Sequence, residues 1–177
     1  RLAQVASVVG REFPVSVVAA VSGSADPDGD IASLLRAEIV REVRRFPELE
    51  CTFRHGLLQE AALSTLTPAS QRELYGRVGR AMEAHLGDHV DEQLEQLAFY
   101  FYRSDDTGKA FDYLERAAEH AVRVEALARA EELWRRALRL AERVGDEERS
   151  ERVDRQLRWL RKRSSGELPL PPAPETG

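Results

Sequence analysis

A mostly α-helical chain is the fold class this sequence predicts, and three observations lead there. Apolar residues recur at helical spacing through most of residues 1–163. Two short runs rich in β-branched and aromatic residues, Val40 to Arg45 and Cys51 to Arg54, read as strands rather than helix. Clusters of turn formers, Ser22 to Asp30 and Asp105 to Gly108, fall between periodic segments. The expected architecture places short helices and a small β-hairpin first, then longer helices stacked on one another.

Leu2, Val5, Ala6 and Val9 repeat at helical spacing and stop at Gly10, a residue suited to a C-terminal cap. Phe13 to Val21 reads as a second short helix, ended by Ser22-Gly23-Ser24. The run from Ser24 to Asp30 is dense in turn formers, after which Asp28 or Asp30 caps a third helix with Ile31, Leu34, Leu35 and Ile39 inside. Val40–Arg45 and Cys51–Arg54 then form a hairpin, with Phe46 to Glu50 too long for a two-residue turn. Three short helices and a hairpin are the order of a winged helix, expected over about residues 1–65.

Helix dominates from His55. Leu57, Leu58, Ala61 and Ala62 share a face up to about Ser64. Thr67 caps the next helix with Pro68 at its first position, or Ser70 and Glu73 make a capping box. Leu74, Val78, Ala81 and His85 mark its inner side, which makes 66–89 a connecting helix. Across 90–144, Leu94, Leu97, Ala98 and Phe101 lie on one face, Asp105 to Gly108 break the helix, and Ala110, Leu114 and Ala117 take the second-helix spacing of a tetratricopeptide repeat. A second register, 111–144, places Leu114, Ala117, Ala118, Ala121, Ala130, Trp134 and Ala137 alike. With Val153, Leu157 and Leu160 on one more helix, tetratricopeptide-like repeats are expected over 90–163. Four prolines among residues 164–177 suit a Pro-rich disordered linker.

At 177 residues the chain accommodates one ordinary domain or two small ones. No apolar run approaches the ~20 residues that span a bilayer, and no signal-peptide pattern opens the chain. It begins on Arg1, inside an amphipathic pattern, which reads as a piece of a longer polypeptide. The single cysteine, Cys51, excludes an intrachain disulfide framework and a Cys-based zinc site, so a cytoplasmic setting is expected. Net charge of −5 argues against non-specific nucleic-acid binding and leaves membrane association without support. Of the 26 basic residues only Lys109 and Lys162 are not Arg, a bias that genome composition explains as readily as chemistry.

The blocks Phe53-Arg54-His55-Gly56-Leu57-Leu58-Gln59-Glu60-Ala61-Ala62 and Leu2 to Phe13, followed by repeats, resemble bacterial STAND-type signalling ATPases. Those proteins set a winged helix and helical repeats after a P-loop domain, as in regulators linked to class III adenylate/guanylate cyclases and in LuxR-type activators. The resemblance covers about residues 1–145. It implies a regulatory and protein-interaction segment that couples nucleotide state to such an effector. Its partners would be the nucleotide-binding domain of the same chain and a protein bound on the repeats. In related STAND ATPases a Met-His-Asp motif supplies a histidine that senses the nucleotide phosphate. His55 matches that histidine, with Arg54 at the Met position and Gly56 at the Asp position.

The resemblance makes His55 and Arg54 candidates for phosphate sensing; the alternatives are a capping or packed histidine and an arginine in a surface salt bridge. ADP or ATP would belong to the parent protein, and this segment alone would hold no cofactor. It has no Gly-x-x-x-x-Gly-Lys-Ser/Thr loop and no Gly-x-Ser-x-Gly elbow, so no catalysis is expected of it. Tyr100, Tyr102, Tyr113 and Trp134 are candidates for a partner groove, although aromatics at helical spacing more often serve as core. His85 and His89, parted by Gly87, make a poor zinc pair. The Arg-rich stretch from Arg152 to Arg163 suits an acidic partner or a salt-bridged solvent face. The competing overall reading is a free-standing tetratricopeptide-type scaffold that binds a protein partner.

Overall fold

The computed structural model describes residues 1–165. It forms two compact units that divide between Ala110 and Phe111. The first contains α1 (Leu2–Val9), β1 (Glu12–Pro14), α2 (Val15–Ser22), α3 (Pro27–Arg36), β2 (Val40–Arg44), β3 (Glu50–Phe53), α4 (Gly56–Ser64), α5 (Pro68–Leu86), a 3-10 stretch (Gly87–Gln93), α6 (Leu94–Tyr102) and the start of α7 (Thr107–Arg123). The second contains the rest of α7, then α8 (Leu127–Val144) and α9 (Glu147–Ser164). The chain is mostly helical, with one small antiparallel sheet of order β1-β3-β2.

The hairpin is present, and a third strand joins it that periodicity did not indicate. Glu12–Pro14, of which Phe13 and Pro14 are expected at the head of the second helix, is extended and pairs with β3, Phe13 lying opposite Cys51. Pro14 explains the shift. Its backbone sits at φ −66°, ψ 130°, so the helix begins one residue later, at Val15. Val15 N–H donates to Leu49 O at 2.9 Å, tying that start to the hairpin. Phe13, 1% exposed, tilts against Phe53 at 5.7 Å beneath the sheet.

The cap of α3 is Asp26 rather than Asp28 or Asp30. Its carboxylate accepts from Gly29 N–H at 2.9 Å, and Pro27 opens the helix. Proline's fixed φ favours the first helical position, which moves the cap one residue upstream of it. Thr67 caps α5, accepting from Ser70 N–H at 3.2 Å with Pro68 following.

More than a connector, α5 packs on α1, α2 and α6. It buries Leu74, Tyr75, Val78 and Met82, while Ala81 and His85 stay outside the buried set. Gly79 lets the helix approach its neighbour closely: a Cβ there would stand 2.8 Å from Phe101 Cζ. Residues 66–89 and α6 therefore share a core with the first 65 residues, and that unit extends to Ala110. Tyr100 closes it. Its hydroxyl donates to Val9 O, one of the carbonyls a helix end leaves without an intrahelical donor, and accepts from Gln96 Nε2 at 2.9 Å.

In the second unit α8 packs along α9. Ala130, Trp134 and Ala137 on α8 and Val153, Leu157 and Leu160 on α9 are buried, as their spacing predicts, and Leu133, Leu140 and Ala141 are buried with them on α8. On α7, Phe111, Leu114, Ala117, Ala118 and Ala121 are buried as well. The α8–α9 turn uses Gly145 at φ 72°, followed by Asp146, which accepts from Arg149 N–H at 3.0 Å. Ser164 ends α9 rather than opening a linker; the Pro-rich remainder, 166–177, lies outside the described residues.

Candidate functional site

His55 is the N-cap residue of α4, placed there because β3 ends at Phe53 and α4 begins at Gly56. Its backbone is extended, at φ −135° and ψ 141°, and its side chain makes no capping bond. The imidazole is exposed and has no hydrogen-bond or ion-pair partner among the described residues. Arg54 beside it is exposed too, and Nη1 lies 3.1 Å from Glu38 Oε1. The salt-bridge alternative for Arg54 thus describes its present contact. A Cβ built on Gly56 meets nothing within 4 Å, so the position holds open space.

Immediately after them, Leu57 is 76% exposed. No residue of α4 is buried, although α4 packs on α1 and Gln59 Nε2 donates to Ser7 O at 3.1 Å. The imidazole of His55, the Glu38-paired guanidinium of Arg54 and the side chain of Leu57 are therefore all exposed where β3 passes into α4. Toward a nucleotide phosphate these residues supply one ring N–H and the positive end of a nine-residue helix.

The hairpin beside this edge carries balanced charge. Arg44 pairs with Glu50, and Arg45 Nε donates to Glu42 Oε1 at 2.9 Å, a bond that holds the Glu42 carboxyl below its ordinary pKa. His85 does not join His89. Its Nε2 lies 2.9 Å from Glu48 Oε1, and Ser16 Oγ donates to Glu48 Oε2 at 2.7 Å, so the hairpin tip, α2 and α5 meet at one carboxylate. A polar cleft of about 530 Å³ between α5 and the turn after α6 is crossed by Arg72–Asp105 at 3.1 Å and Arg80–Asp106 at 3.5 Å. Both arginines of the cleft are thus paired within it, while Glu73 lies 3.9 Å from Arg77 outside it.

The aromatic candidates divide between the units. Tyr100 is 1% exposed in the core of the first, and Tyr102 is half-buried on the same helix. Tyr113 and Trp134, each 4% exposed, belong to the second. Of these, Trp134 alone lines a described groove. That groove measures about 480 Å³ and is formed by Glu119, Val122, Arg123, Trp134, Gln156 and Trp159. Sequence reading missed Trp159. The available signal was that it stands just off the Val153, Leu157, Leu160 stripe, where an indole has only partial cover. Along the Arg-rich stretch, Arg152 pairs with Glu115 and Arg158 with Asp154, the salt-bridged arrangement expected as an alternative to an acidic partner.

No family model, no curated protein and no solved structure matches the chain. Among the described residues no helix is long and apolar enough to cross a membrane.

Proposed function

We propose that this chain is the regulatory and protein-interaction segment of a STAND-type signalling ATPase, coupling nucleotide state to an effector such as a nucleotide cyclase or a transcription activator. The observation that carries the reading is the exposed His55, at the start of a helix that buries none of its own residues and shows Leu57 to solvent. A histidine with no partner beside an uncovered leucine suits an edge that another domain covers. On this reading the winged-helix-like part, with its three short helices and sheet, presents His55 to a phosphate held by the P-loop domain of the same chain. The tetratricopeptide-like helices receive the protein signal. The nucleotide, its hydrolysis and the effector chemistry belong to the parent protein.

The ring N–H of His55 stabilises the ADP-bound resting state only if that state is contacted differently from the active one. The test is His55→Ala in the full-length parent. Faster ADP release and raised basal output are expected; a variant matching the parent in both overturns the reading. Gly56→Asp makes a useful companion, since the position has room for the carboxylate the resemblance leads one to expect.

The groove at Trp134 and Trp159 favours a second reading, a tetratricopeptide-type scaffold that binds a protein and meets no nucleotide. Immunoblotting of source cells separates the two. A polypeptide far larger than this chain supports the first, and one of its own size the second.

A further inference from the structure

The groove that α7, α8 and α9 form within the second unit measures about 480 Å³. Trp134, 4% exposed, makes its floor, and the half-buried Val122 and Trp159 make apolar walls. Helix packing accounts for that floor but not for the charge around it. Arg155 and Lys162 stand one turn to either side of Trp159, at the four- and three-residue spacings that make side chains neighbours on a helix. Both are exposed, and neither has an ion-pair partner among the described residues; Glu151, four residues before Arg155, makes no ion pair with it. The described ion pairs of α9 are made by Arg149, Arg152, Arg158 and Arg163 instead.

We propose that this groove docks an acidic peptide of a partner protein. The peptide inserts a bulky apolar side chain between Trp134, Trp159 and Val122 and sets its carboxylates against Arg155 and Lys162. The inference rests on the reading that the tetratricopeptide-like helices receive a protein, and it names the chemistry of that protein's contact.

Charge and shape both select this occupant. On the α7 wall Arg123 has Glu119 one turn before it, so those two offset each other. From Arg155 to Ser165, by contrast, α9 carries five basic residues and no acidic one. Lys162 lies in the last turn of α9, where a cation also meets the negative helix end. That effect fades within the last turn, so it gives Arg155, more than two turns earlier in the helix, nothing to do. An unpaired arginine beside a partly uncovered indole, in a chain of net charge −5, is a local reversal of sign that favours an anionic partner. Trp and Arg are also the residues on which protein contacts most often depend. A flat bilayer does not reach an indole as deep as Trp134, whereas a single inserted side chain does. The phosphates of a nucleic acid would meet Glu119 as well as the cations.

Trp134 and Trp159 are the only tryptophans and both line the groove, so indole emission of the whole chain reads its occupancy. The probe is the capped peptide acetyl-Asp-Glu-Phe-Leu-Glu-Asp-amide. Its two controls are the Asn/Gln counterpart and a version with Ser in place of Phe and Leu. The acidic probe is expected to protect the indoles from acrylamide at micromolar levels, and both controls to bind more weakly. Arg155→Glu/Lys162→Glu, at two exposed positions, should weaken the acidic probe by about tenfold or more while circular dichroism stays unchanged. An unchanged affinity in that variant overturns the proposal, as does a lack of protection by any of the three peptides. Neither result touches the His55 test, which is read in ADP release. Equal affinity for the acidic and Asn/Gln peptides overturns the acidic class alone and leaves a protein contact on these helices standing. Protection by phosphatidylserine vesicles or by an oligonucleotide, with none from the acidic peptide, overturns the proposal in favour of that surface.

Discussion

Burial of the Tyr100 phenol pushes its pKa up to about 12, against an ordinary value of 10. The folded state thus keeps the proton more tightly than the unfolded one. That stability is fully present below about pH 10 and is lost as pH rises toward 12, in all about 2–3 kcal/mol. Urea midpoints measured through this window should fall in the parent and fall less in Tyr100→Phe, which should itself lose about 1 kcal/mol at neutral pH by leaving Val9 O and Gln96 without the hydroxyl. Parallel profiles would disprove the assignment. Gly79 poses a contest of signs. Alanine is the better helix former by about 1 kcal/mol, but its methyl would meet the fully buried Phe101 ring at 2.8 Å. Overpacking of this kind costs about 1–3 kcal/mol, so Gly79→Ala should destabilise in chemical denaturation. A more stable variant would mean that Phe101 moves aside.

Single helices respond to their ends and to their uncovered faces. Thr67→Ala removes the acceptor for Ser70 N–H and should lower stability by about 1 kcal/mol, read as a drop in Tm. Leu57→Glu, at a 76% exposed position, should stay within about 0.5 kcal/mol of the parent. A larger loss would show α4 to be packed more tightly than its burial indicates. These elements also show what a sequence reveals. Helices such as α1, α8 and α9 were legible because one apolar stripe repeats along their whole length and a glycine or a capping residue marks an end. The strand Glu12–Pro14 was not, because three residues hold too little of an alternating pattern and its pairing with Cys51 is long-range. The Asp26 cap was hidden among three aspartates, and Pro27 was the residue that decided between them. His55 could be picked out because a β-run meets a helix there, but its exposure depends on what α4 leaves uncovered, which no local spacing encodes. The Trp134–Trp159 groove joins positions 25 residues apart on two helices and appears only once α8 and α9 are packed.

For the molecule as a whole, the described ion pairs are mostly solvent-facing ladders such as Arg135–Glu131 and Arg136–Glu132. Such pairs are each worth a fraction of a kcal/mol and are screened at high ionic strength. Raising salt to about 1 M should therefore change unfolding free energy by about 1 kcal/mol or less, and a larger loss would point to charges far better shielded than these. Probes also sort by unit: both indoles belong to residues 111–165, whereas Cys51 belongs to the first 110. That sulfur is wholly buried in the central strand of the sheet, and desolvation raises its pKa. A thiol reagent added to the native protein must wait for β3 to come away from its neighbours, and the speed of modification becomes a clock for that opening, wound by a single atom.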